Sequence, residues 1–114
     1  KELPGLAVSP GVGQGRARLI YALGEMSNVL PGEVLILREP LFEFSPLFGI
    51  VSAVVSEMGG LLDHAAVLAR EYGVPAVFGV AGAMTMIENG EQVRVDAVKG
   101  IVTRYRVESD WEIL

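Results

Sequence analysis

Pro10-Gly11, Pro31-Gly32 and Asn89-Gly90 cut this chain into short runs rich in valine, isoleucine and leucine, and that punctuation restricts it to short strands joined by tight turns. The runs at about 5–8, 12–21, 33–38 and 51–56 read as strands, a further piece near 76–78 does the same, and 91–96 with 100–106 reads as a hairpin-like pair. Helical periodicity breaks the pattern clearly once: Ala65, Leu68, Ala69 and Tyr72 fall at the i, i+3, i+4, i+7 spacing of one buried face. Gly73 followed by Val74-Pro75 ends that helix, because glycine is favoured just past a helix C-terminus and the residue before proline is pushed out of the helical region. The helix is therefore expected from residue 63 or 64 to 72, with a shorter helical piece around 80–87. The expected fold class is α+β, mostly β with one main helix after a Gly59-Gly60 loop, in a single domain over residues 1–114.

His64 is the only histidine, and it falls in the first turn of that helix. The first N–H groups of a helix lack intrahelical partners and carry the positive end of its dipole, so an anion there gains about 0.3–1 kcal/mol when exposed. A phosphoryl group on the imidazole would sit in this favourable field. The same field disfavours imidazolium and favours the neutral ring that a nucleophile requires. Gly59 and Gly60 carry no side chains, so backbone there can approach a phosphate closely and adopt positive φ.

The segment Glu57-Met-Gly-Gly-Leu-Leu-Asp-His64-Ala-Ala-Val-Leu-Ala-Arg-Glu-Tyr-Gly-Val-Pro75-Ala-Val-Phe-Gly79 resembles the phosphohistidine, or swivelling, domain of the phosphoenolpyruvate-utilising enzymes. That family includes phosphoenolpyruvate synthase, pyruvate phosphate dikinase, enzyme I of the sugar phosphotransferase system and rifampin phosphotransferase. Its motif reads much like Glu-x-Gly-Gly-x-Thr-Ser-His-Ala-Ala-Ile-Val-Ala-Arg-Glu-x-Gly-Ile-Pro-Ala-Val-x-Gly, and the match runs without a gap. Outside it, Gly5-Leu-Ala-Val-Ser-Pro-Gly-Val-Gly-Gln-Gly15 looks like the domain opening and Leu30-Pro-Gly-Glu-Val-Leu-Ile-Leu37 like a central strand. Asn89-Gly-Glu-Gln-Val-Arg-Val-Asp96 and Gly100-Ile-Val102 look like the closing hairpin.

The resemblance implies a β/β/α swivelling domain, a fragment of a larger multidomain phosphotransferase, in which His64 is the catalytic phosphoryl carrier. The phosphate-binding positions it marks are Gly59, Gly60, Asp63 and Ala65. It further implies an ATP-grasp domain or a phosphoenolpyruvate-binding barrel, in cis or in trans, that phosphorylates the histidine and brings Mg2+ with ATP or phosphoenolpyruvate. The domain itself is expected to bind no cofactor and no metal, and not to turn over alone. The alternative is a regulatory or interaction module that keeps the swivelling fold without carrying phosphate.

Leu62-Asp63 departs from the family's hydroxyl-bearing pair. A carboxylate within about 5 Å of a phosphohistidine repels it by an amount on the order of a few kcal/mol at an effective dielectric near 20. Asp63 is also as good a helix N-cap as serine, and a carboxylate can orient an imidazole through a ring N–H. A self-contained hydrolase built on Asp63 and His64 lacks a second nucleophile or metal set nearby. Arg70 lies nearly two turns into the helix, where a solvated face or structural ion pair suits it better than phosphate contact. Glu57 is placed to position the loop or a neighbouring domain.

Composition narrows the rest. With no cysteine and one histidine, disulfides, thiolate sites and histidine clusters are excluded, which is compatible with a cytoplasmic location. A formal charge of −5 argues against a nucleic-acid surface. No apolar stretch approaches the roughly 20 residues of a membrane span. Glu39-Pro-Leu-Phe-Glu-Phe-Ser-Pro-Leu-Phe48 reads as a loop or short helix pinned onto the core, with part of it facing a partner domain. The acidic end from Val107, with Trp111, is expected to fray or lie on the surface.

Overall fold

The structure is a computed structural model that describes residues 2–105; the acidic end from Val107 lies outside the described residues. Eight strands form it: β1 (Glu2–Pro4), β2 (Leu6–Ser9), β3 (Val12–Ile20), β4 (Val34–Leu37), β5 (Ala53–Ser56), β6 (Ala76–Phe78), β7 (Gln92–Asp96) and β8 (Ile101–Tyr105). Their order across the sheet is β1-β8-β7-β3-β4-β5-β6-β2. The long β3 belongs to two neighbourhoods. Its first half, Val12 to Arg16, pairs antiparallel with β7, and its second half, Ala17 to Ile20, pairs parallel with β4. β4, β5 and β6 continue in parallel, and β2 closes that side antiparallel to β6.

The parallel strands read as unbroken apolar runs because both of their faces are covered. Alternation then sorts successive side chains into two cores. Leu35, Leu37, Val54 and Phe78 enter one, with Ala65, Ala66 and Ala69 of the helix α1 (His64–Tyr72) and Phe44, Leu47 and Phe48 of a 3-10 helix over Phe42–Gly49. Val34, Ile36, Val55 and Val77 enter the other, with Val93 and Val95 of β7, Val102 of β8 and Ala83 of the short helix α2 (Ala83–Met86). The antiparallel half thus folds over one face of the parallel strands and α1 covers the other, which is the β/β/α arrangement expected.

Several details differ from the sequence reading. β1 and a 3-10 helix at Leu23–Asn28 were not anticipated, and β4 and β5 are shorter than the apolar runs that contain them. β1 has only three residues and exists by pairing with β8, a partner nearly the whole chain away. Residues 39–48 hold a 3-10 helix, as one of the two expected forms, pinned by Phe44, Leu47 and Phe48. In α1 the buried positions are Ala65, Ala66 and Ala69, whereas Tyr72 is half exposed and meets the edge of Phe48 at a ring-centroid distance of 6.1 Å. The face turned to the core is thus made of small side chains, and the tyrosine lies at its edge.

Gly73 ends α1 in the left-handed conformation at φ 71°, and the Val74 N–H reaches back to the Ala69 carbonyl at 3.1 Å. Arg70 donates from Nη1 to the Val8 carbonyl at 2.7 Å, fastening the helix to β2. Among the described residues, no helix is long and apolar enough to cross a membrane.

Candidate functional site

The carboxyl ends of β3, β4 and β5 meet at one edge of the sheet, and the loop that follows each strand contributes to a shared surface. The loop after β5, residues 57–63, carries His64 into the first turn of α1. Two further bonds extend the parallel pairing past β5: Glu57 N–H to the Leu37 carbonyl at 2.9 Å and Met58 N–H to the Arg38 carbonyl at 3.0 Å. The loop then turns at Gly59, whose φ is +101°. A Cβ there would lie 2.6 Å from Pro40 Cγ and 3.2 Å from Phe78 Cδ2, so both the conformation and the space require glycine.

Gly60 is different. It does not use the positive φ open to glycine, and a Cβ on it would meet nothing within 4 Å. The fold therefore gives no reason for glycine at this position, while the open space beside it admits a ligand.

His64 is exposed at the start of α1. The Phe42 ring, itself 55% exposed, stands edge-on to the imidazole with centroids 6.1 Å apart and planes at 68°. Around the helix start, the Ala66 and Val67 amides bond the Asp63 carbonyl at 3.0 and 3.2 Å. The His64 and Ala65 amides have no acceptor among the described residues. An exposed imidazole and two free donors at the positive end of a helix are thus placed together, a combination suited to an anion that is attached to the ring.

Asp63 stands at the N-cap position but its side chain makes no capping bond to the first turn. Its Oδ2 turns back and accepts the Gly60 N–H. Of the four positions marked for phosphate, Ala65 therefore presents a free amide, Gly59 shapes the loop, Gly60 has its amide taken, and Asp63 takes it.

Glu57 Oε2 accepts the Met84 N–H at 2.7 Å and so holds the start of α2. Phe42, Pro40 and this amide were not singled out as site components from the sequence; the phenylalanine-rich character of residues 39–48 was the only local sign of Phe42. Beside the His64 loop lies a groove of about 410 Å³ lined by Tyr21, Leu23, Arg38, Leu41, Phe44 and Met58. Leu62, just before Asp63, is 93% exposed. Among the described residues, no group of three histidine, cysteine or acidic side chains could hold a metal ion.

Comparison with known proteins places the fold in a family. The profile of the family described as "PEP-utilising enzyme, mobile domain" matches residues 29–100. The rifampicin phosphotransferase of a Streptomyces species is 42% identical over 100 residues, covering 88% of this chain and 11% of the relative. A probable phosphoenolpyruvate synthase from Archaeoglobus fulgidus is 37% identical over 110 residues, covering 96% of this chain and 15% of the relative. The chain thus spans a small part of the relatives it matches. The solution structure of an Enzyme I protein (nEIt) superposes with a TM-score of 0.62 at 25% identity, over 77% of this chain and 38% of that one. With the family profile spanning most of the fold and the His64 loop, the chain belongs to the mobile, phosphohistidine domain family of the phosphoenolpyruvate-utilising phosphotransferases.

Proposed function

We propose that His64 is the phosphoryl carrier of this mobile domain, taking the group from ATP or phosphoenolpyruvate at one site and delivering it at another. The observation that carries this assignment is the exposed imidazole at the start of α1 beside the unpartnered His64 and Ala65 amides. A ring nitrogen, assigned as Nε2, attacks the phosphorus; the bond from phosphorus to the leaving oxygen of the nucleotide or enolpyruvate breaks with its electron pair, and the other ring N–H proton is released to solvent. The second transfer repeats the displacement with an acceptor oxygen attacking phospho-His64 and the ring nitrogen leaving. The free amides align and stabilise the equatorial oxygens without forming a covalent bond.

The donor belongs to other domains of a longer polypeptide, an ATP-grasp domain or a phosphoenolpyruvate-binding barrel, since the relatives named above are many times longer than this chain. Mg2+ would enter with the nucleotide or phosphoenolpyruvate in those domains, held against the phosphate oxygens. The absence of cysteine suits the cytoplasm, where we place the protein.

The test is to incubate the chain and a His64→Ala variant with a family donor module and labelled ATP, then labelled phosphoenolpyruvate. An acid-labile, base-stable adduct on the wild type alone is expected and names the donor. No adduct, with a donor module shown to phosphorylate another swivelling domain, would overturn the assignment. It would favour an interaction module instead, for which the occupied Gly60 amide is the specific supporting observation.

A further inference from the structure

We infer that Asp63 destabilises phospho-His64 by holding the Gly60 amide and keeping a competing negative charge at the helix start, which poises the phosphoryl group to leave. This rests on the assignment of His64 as carrier. The Asp63 carboxylate accepts the Gly60 N–H, and neither ion pair among the described residues includes it. Its charge is therefore matched only by a neutral backbone donor. It is adjacent in sequence to His64 and shares the positive end of α1 with any phosphoryl group on the ring.

Two anions then draw on one set of donors. Gly60, which the fold does not require to be glycine, has open space at its Cα, and its N–H is the loop donor that the Asp63 carboxylate holds. A hydroxyl at residue 63 would add no charge and offer that amide only a weaker, uncharged acceptor that a phosphoryl oxygen displaces more readily. With aspartate, the phosphorylated state loses this bond or must displace the carboxylate, so the group is held less tightly and passed on more readily. Asp63 is a positioning residue in this scheme, since it acts through the loop amide and the local field.

Phosphoramidate tests this without a donor domain. The ring nitrogen attacks its phosphorus, the P–N bond breaks, ammonia leaves with that pair, and the other ring N–H proton is released to solvent. Wild type, Asp63→Asn and Asp63→Ser are treated alike, the reagent is removed, and phosphohistidine is followed by 31P NMR. Thermal melting is run in parallel to establish that each variant is folded. The adduct is expected to persist on the order of tenfold longer in both variants, as befits removal of one close charge and replacement of a charge-assisted bond to the Gly60 N–H by a weaker neutral one. Equal lifetimes in all three folded proteins would overturn the role of Asp63 and leave His64 as carrier. Absence of the adduct from His64 in all three would overturn both.

Discussion

Glu57 Oε2 lies 2.7 Å from the Met84 nitrogen, joining the first residue of the His64 loop to the start of α2 across 27 positions of chain. α2 has four residues and no side-chain cap of its own, so this carboxylate supplies what the local sequence lacks. The bond fixes one end of the loop, and the closure of Gly59 on Pro40 fixes its middle.

Glu57→Ala is expected to lower stability by about 1–2 kcal/mol, the usual cost of losing a helix-start acceptor, and to slow His64 phosphorylation. Glu57→Gln keeps an acceptor oxygen and should recover most of both. Urea unfolding and the labelling rate, measured on the two variants together, distinguish a lost hydrogen bond from a lost charge.

The glycine pair should separate fold from function. Gly59→Ala forces an L residue into φ +101° against Pro40 and is expected to cost about 2–4 kcal/mol in thermal or urea unfolding. Gly60→Ala adds a methyl group to open space, so its stability should stay within about 0.5 kcal/mol of wild type while phosphorylation falls.

Leu62 is 93% exposed two residues before His64, and its removal costs the isolated chain no packing. Leu62→Ser should leave the melting temperature within about 2 °C, in keeping with a stability change near zero. It should raise the KM for a donor module with a smaller change in kcat. An unchanged KM would show that this side chain does not meet the donor.

Acid stability should report on Glu33. Burial pushes its carboxyl up, but two hydrogen bonds from Arg18, at 3.0 and 2.9 Å, and the Leu30 N–H outweigh burial and hold it below its ordinary value. A depressed carboxylate stabilises the fold at pH above its unfolded value, and this contribution is lost as pH falls through the folded value. Glu33→Gln should therefore cost about 1–2 kcal/mol at neutral pH and progressively less below the ordinary carboxylate range, measured by urea unfolding across pH.

Much of the molecule was legible in residues alone. Glycine and proline punctuation set the strands, and the span from His64 to Pro75 set the helix and its end, because both signals are local: a forbidden φ, a missing N–H, a 3.6-residue period. The motif around His64 gave the family for the same reason, since a contiguous loop and helix start must be spelled out in contiguous residues. What only the tertiary structure decided was pairing at a distance. β1 exists through β8, Phe42 reaches His64 from the start of the 3-10 helix over Phe42–Gly49, and Met84 brings its amide to Glu57. Asp63 had two local uses, as a helix cap or as an imidazole partner, the cap being the better supported; its side chain makes no capping bond and accepts the Gly60 N–H instead. Sequence offers a carboxylate several acceptable donors within reach; the fold of the Gly59 turn against Pro40 and Phe78 selects one by placing it within bonding distance.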